Sequence, residues 1–214
     1  MTLADQTISE YEVPVIRRAD DGDYQNVTML LVSAFFYGDL AGHLIPKVTD
    51  RASRYFPYFE IIAEHALANA HVDLIMDKTA AMPAAAAIWH TVGDGGFHFD
   101  LADYDARLAD AVGPALARFV ALDAAMHRHH PTKPDHDYLA FLGVQPGWQG
   151  KGLGSRLLRH RHDRLDHAGR HAYLEATGDR NRRLYERHGY LALEPFDVAP
   201  DGPPLHPMWR PPRG

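Results

Sequence analysis

Apolar residues recur along this chain at two spacings. Val27, Leu30, Leu31, Ala34 and Phe35 fall three and four apart, the period of a helix with one buried face. That spacing returns over about 50–69, through Tyr55, Phe56, Phe59, Ile62, Ala63 and Leu67. It returns again over 101–129, interrupted at Gly113-Pro114, and through Leu153, Leu157, Leu158 and Leu165. Between these helices the pattern predicts strands at 12–18, 72–77, 84–92, 138–144, 171–177, 190–193 and 206–210. The segment Tyr138-Leu139-Ala140-Phe141-Leu142-Gly143-Val144 is almost unbroken in apolar character, as a strand buried on both faces requires. Ala84 to Ala87 argue against the second arm of the 72–92 hairpin, because alanine is a poor strand former. Asp20-Asp21 suit the cap of the first helix, and Asp179 that of a short helix over 180–188 closed by Gly189.

Helices and strands alternate without repeats or a low-complexity linker. The expectation is an α/β (α+β) fold, a mixed central sheet flanked by helices, in a single domain over 1–214 with residues 1–11 a loose leader. Acidic residues outnumber basic ones by 28 to 22, which argues against non-specific nucleic-acid binding. Cysteine is absent, which excludes disulfides, thiolate metal sites and a cysteine nucleophile. No run approaches the roughly 18 apolar residues of a membrane span. The start, MTLADQTISEYE, is acidic and unlike a signal peptide, so a cytoplasmic location is expected.

The chemistry concentrates after the 138–144 strand. Pro146 and Gly147 stop it, and Gln149-Gly150-Lys151-Gly152-Leu153-Gly154-Ser155 leads into a helix. A glycine turn at a helix N-terminus offers bare N–H groups and the positive end of the helix dipole, a cradle for phosphate. The P-loop spacing GxxxxGK[ST] is missing. The dinucleotide spacing GxGxxG, with an acidic residue about 20 positions on, is missing as well. Present instead is Gln-x-x-Gly-x-Gly, formed by Gln149, Gly152 and Gly154.

That string resembles the acetyl-CoA pyrophosphate loop of the GNAT acetyltransferase superfamily. A second landmark, Asn181-Arg182-Arg183-Leu184-Tyr185-Glu186-Arg187-His188-Gly189-Tyr190, is similar to that superfamily's N-x-x-x-Y-x-x-x-G-(F/Y). The resemblance runs from the 138–144 strand to Leu193, about a quarter of the chain. Within the superfamily, FLGVQPGWQGKGLGS, LEAT and NRRLYERHGY look closest to the puromycin N-acetyltransferase-like group. The resemblance implies an enzyme moving an acetyl group from acetyl-CoA to a primary amine of a small, amino-nucleoside or antibiotic-like molecule, with no metal. Protein or peptide amines, and a non-catalytic acyl-CoA sensor, are the alternatives. A monomer or a homodimer is expected, with neither nucleic acid nor membrane as partner.

The resemblance also implies roles. Pantetheine would lie along the backbone of Val144, the diphosphate on Gln149 to Ser155, and Asn181 would hold the pantetheine arm. Leu142 N–H would polarise the thioester carbonyl, Glu175 or a water chain would take the amine proton, and Tyr185 would protonate the thiolate. Phe36, Tyr37 and Asp39 are expected to contact the acceptor. Arg156, Arg159, Arg161 and Arg164 read as a solvated helix face, one of them within reach of the adenosine 3′-phosphate. His127, His129, His130 and His136 read as a solvated loop rather than a metal site, since no HExxH-type spacing accompanies them.

Overall fold

A computed structural model describes residues 15–76 and 82–213. The expected first strand is present as β1 (Ile16–Arg18); its residues 12–14, and Asp77 of the hairpin, lie outside the described residues. Asp20 accepts from Gly22 N–H at 2.9 Å and forms a capping box with Asp23, which starts a 3₁₀ turn leading into α1 (Tyr24–Ala34). Next come α2 (Asp39–Leu44), α3 (Val48–Asn69), β2 (His71–Met76), β3 (Pro83–Val92), α4 (Tyr104–Val112) and α5 (Leu116–His129). The second half comprises β4 (His136–Val144), α6 (Leu153–His167), β5 (His171–Thr177), α7 (Gly178–Arg187), β6 (Leu191–Ala192), β7 (Phe196–Asp197) and β8 (Pro204–Arg210).

The strands form one sheet, ordered β1-β2-β3-β4-β5-β8-β6, with β7 also on β8. Every neighbouring pair is antiparallel except β4 and β5. Those two pair in parallel only at His136–His171, Asp137–Ala172 and Tyr138–Tyr173. Both strands continue, to Val144 and Thr177, paired with β3 and β8 but not with each other, so the sheet splays open there. A bulge accompanies the parting: Phe141 opposes Ile88 and Leu139 opposes Trp89, which leaves Ala140 without a partner on β3. The extra residue bends the strand at that point.

Burial on both faces explains the alanine strand. Ala84 to Ala87 are at most 2% exposed. Ala86 and Ile88 join the core under the helices from the first half, whereas Ala85, Ala87 and Trp89 join the core with Leu157 and Leu158 of α6. Packing overrides local propensity here. Gly143 is set by the same crowding, because a Cβ there would lie 2.9 Å from Leu30 Cδ2 and 3.2 Å from Ala34 Cβ.

Two local expectations need correction. The side chain of Asp179 does not cap α7; Thr177 occupies the N-cap, and Asp179 sits in the first turn, accepting from Arg182 at 3.2 Å. The histidine segment is neither all loop nor all solvated, since His127 and His129 are exposed and His136 is not. His127 and His129 belong to the last turn of α5, where His129 stacks on Phe196 with ring centroids 4.0 Å apart, and His136 is fully buried at the start of β4. Aromatic rings distant in sequence provide that burial: His136 packs against Tyr173 and Trp209.

Candidate active site in the wedge between two strands

The phase of β4 decides which of its backbone groups face the wedge. Gln145 N–H donates to the Ala84 carbonyl at 3.0 Å. Antiparallel pairing alternates bonded and non-bonded residues, so Gly143 and Phe141 bond to β3 while Val144 and Leu142 point the other way. On that side β5 has already departed. The N–H groups of Leu142 and Val144 therefore lack a strand partner and face a cavity of about 880 Å³. The Val144 carbonyl is taken: the side-chain amide of Gln149 donates to it at 3.3 Å.

At one end of the cavity lies the glycine turn. Gly150 and Gly152 have φ of +77° and +79°, a left-handed backbone for which only glycine is unstrained. Arg156 N–H makes the first intrahelical bond of α6, to the Gly152 carbonyl at 3.0 Å, so the N–H groups of Leu153, Gly154 and Ser155 have no partner within the helix. Gln149, Gly150, Gly152, Leu153, Gly154 and Ser155 all line the cavity. Lys151 does not; its Nζ lies 4.3 Å from the centroid of the Trp148 ring, which does. Free N–H groups along one strand edge and at a helix start fit an extended ligand with amides in its middle and phosphates at its end.

Helix α7 forms the opposite wall. Asn181 Nδ2 is tethered to the end of β5, donating to the Thr177 carbonyl at 3.0 Å. Tyr185 is buried, and burial pushes its phenol above the ordinary value, so the hydroxyl stays protonated. Arg180 and Arg187 also line this part. None of the four arginines singled out on α6 does: Arg161 is bound to the buried Asp137, which Arg170 Nε also meets at 2.9 Å.

Beyond Leu142 and Tyr185 the cavity includes a chamber walled by α2 to α5. Tyr37 and Asp39 line it; Phe36 does not, Phe35 taking that place. Phe36 instead meets Tyr55 edge-on, and its carbonyl accepts from the buried Arg51 at 2.8 Å. Sequence reading did not single out Asp123, His90 or Tyr138 as site groups. Asp123 accepts from Tyr104 at 2.9 Å, and burial raises its carboxyl to about 6 against that hydrogen bond. His90 is lowered to about 4 by burial. Tyr138 is raised, first by burial and then by nearby Glu175. The Glu175 side chain, 3% exposed, lies 3.7 Å from His130 Nδ1, and its Oε1 has no hydrogen-bond partner among the described residues.

The wedge thus joins in one space a backbone edge with unpaired N–H groups, a helix start, a protonated phenol and a buried carboxylate. Such a set can hold an acyl donor and an acceptor side by side, meet charge on a carbonyl oxygen and move protons on either flank. Among the described residues, no cluster of three or more histidine and carboxylate side chains is placed to hold a metal ion, and no helix is long and apolar enough to cross a membrane.

Residues 77–190 match the profile of the acetyltransferase (GNAT) family. The fold is similar to a solved Corynebacterium glutamicum protein described as histone acetyltransferase HPA2 and related acetyltransferase, at 27% identity and a TM-score of 0.72 over 94% of this chain and 97% of that one. Arylalkylamine N-acetyltransferase 2 from Aedes aegypti shares the fold at 14% identity and a TM-score of 0.65, over 93% and 99% of the two chains. So does the Drosophila melanogaster polyamine N-acetyltransferase, at 16% identity and 0.58, over 93% and 100%.

Proposed function

The chain belongs to the acetyltransferase (GNAT) family, and on that premise we propose that it moves an acetyl group from acetyl-CoA directly to a primary amine of a small molecule. The observation that carries this is the single cavity running from the N-terminus of α6, past Leu142 and Tyr185, to a chamber holding Glu175 and Asp123. The N–H groups of Leu153 to Ser155, with Arg180 and Arg187, take the phosphates. Val144 N–H and Asn181 take the amides of the arm, Gln149 giving up its bond to the Val144 carbonyl.

The arrangement supports direct transfer. Glu175, or water bound to it, takes a proton from the ammonium, and the freed electron pair attacks the thioester carbon. Leu142 N–H meets the charge that develops on the carbonyl oxygen, an interaction of about 3 kcal/mol in comparable sites. The C–S bond then breaks as the nitrogen gives its second proton to solvent, and Tyr185 gives its proton to the departing sulfur and recovers one from solvent. Amide, free thiol and one proton result, with no covalent enzyme intermediate.

An aromatic chamber with one buried and one half-buried carboxylate suits a cationic amine carrying a ring. We favour an amino-nucleoside or antibiotic-like acceptor of the puromycin type, handled by one domain in the cytoplasm. A protein amine is the second reading, on the strength of the Corynebacterium glutamicum neighbour's description. Thiol release from acetyl-CoA against puromycin, other amino-nucleosides, arylalkylamines, polyamines and a lysine peptide decides between them. Turnover with puromycin supports the favoured class, and turnover with the peptide alone replaces it.

A further inference from the structure

His136 Nδ1 lies 2.8 Å from the Pro134 carbonyl. A carbonyl oxygen only accepts, so Nδ1 carries the hydrogen. Burial lowers the basicity of His136, so the ring is neutral and its Nε2 is bare. His130 Nε2 stands 3.2 Å from that bare nitrogen and must therefore donate to it. A neutral His130 then presents a bare Nδ1, and it faces Glu175 Oε1 at 3.7 Å. Two acceptors face each other there, and Oε1 has no hydrogen-bond partner among the described residues, the hydroxyls of Tyr138 and Tyr173 being the other groups that act on the carboxylate. Both side chains are at least 95% buried, and both line the acceptor chamber.

We infer that His130 and Glu175 act as one proton acceptor, with His136 as the positioning residue that keeps His130 Nδ1 bare and aimed at the gap. This rests on the acetyltransferase reading. The ammonium proton enters the gap and bonds to Nδ1, and the N–H electron pair stays on the amine as its nucleophilic pair. The imidazolium so formed donates Nδ1–H to Glu175 and Nε2–H to His136, so every group in the row is satisfied. The proton leaves to solvent once the amide has formed.

The surroundings favour this use. Rings of Phe97, Tyr138 and Tyr173 hold His130 at centroid distances of 5.5, 4.6 and 4.9 Å. Of the titratable groups facing it, His90 on β3 is kept neutral by burial, and so are Tyr138 on β4 and Tyr173 on β5, each raised by burial and by Glu175. His127, in the last turn of the helix that His130 caps, lines the chamber too. Glu175 is then the counter-charge for the imidazolium.

Two measurements on the full chain test the pair. Nitrogen-15 imidazole spectra, assigned through His130→Gln and His136→Gln, should show His136 protonated on Nδ1 and His130 on Nε2. A neutral His130 protonated on Nδ1 overturns the inference, whether or not an acceptor amine has been found. With an active amine, His130→Gln and Glu175→Gln should each lower kcat about 100-fold, leave the KM for acetyl-CoA unchanged and remove the acid limb of the pH profile. The double variant should be no slower than the worse single one. His136→Leu should move that limb, and His136→Asn, which keeps an accepting oxygen, should restore it. Multiplying losses in the double variant, or an unmoved limb in His130→Gln, would leave Glu175 acting alone. Absence of turnover in the wild type would remove the transferase reading while the spectra still decide the protonation pattern.

Discussion

Tyr185 and Tyr190 are joined twice: the Tyr190 N–H donates to the Tyr185 carbonyl at 3.1 Å, and their rings meet edge-on with centroids 5.7 Å apart. Gly189 between them, at φ +88°, reverses the chain as the end of α7 demands, and its N–H donates to the Glu186 carbonyl at 3.0 Å. The spacing Y-x-x-x-G-Y is therefore a helix stop that fixes the tyrosine in the cavity wall. Tyr185→Phe keeps this packing and loses only the hydroxyl. The expected outcome is a fall in kcat of about 100-fold or more with CoA affinity unchanged, read by thiol release and calorimetry. Equal turnover would assign the sulfur's proton to another donor.

Gly152 begins α6 in a left-handed conformation with open space around its missing Cβ. Gly152→Ala meets no neighbour and is opposed only by backbone strain of about 1 kcal/mol. That strain turns the first N–H groups of the helix away from a common point. CoA should bind about tenfold more weakly, with a melting temperature only a few degrees lower. Unchanged binding would move the phosphates off this helix.

Gly143 lets α1 lie against β4, and Leu30 beneath it is fully buried. Gly143→Ala should destabilise by about 1–3 kcal/mol through overpacking, measured by urea denaturation.

Asp123 carries a pH signature. Its folded value of about 6 lies above the ordinary 3.8, so the folded state holds its proton more tightly. That contribution to stability is complete below about pH 4 and is lost as pH rises through 6. The loss is on the order of 3 kcal/mol for a shift of this size. Asp123→Asn still accepts from Tyr104 and has no such charge to bury. Compared at pH 4 and pH 8, the variant should gain stability relative to the wild type only at the higher pH. His90 and His162, lowered by burial to about 4 and about 3, act in the opposite sense in both proteins and cancel in the difference.

What was legible in the sequence was local. The apolar run of β4, the glycine turn and the stop at Gly189 each follow from neighbours in the chain, and the structure has all three. The wedge depends on where β4 and β5 cease to pair, which one bulge at Ala140 and a three-residue register decide, and no periodicity reports either. The resemblance suggested Phe36 where Phe35 lines the cavity; Phe35, at the C-cap of α1, continues the apolar stripe of that helix. His130 and His136 read as solvated because the rings that cover them come from residues 97, 138, 173 and 209. Strand β7, of two residues, is too short to show a period, whereas β6 falls within the strand expected at 190–193.

The most direct test of direct transfer within one cavity is an initial-rate study varying acetyl-CoA and the acceptor amine together. Both substrates held at once predict intersecting double-reciprocal lines, with no thiol released until the amine is added. Parallel lines, or a burst of thiol from acetyl-CoA alone, would mean that the acetyl group rests on the protein first and would contradict the account.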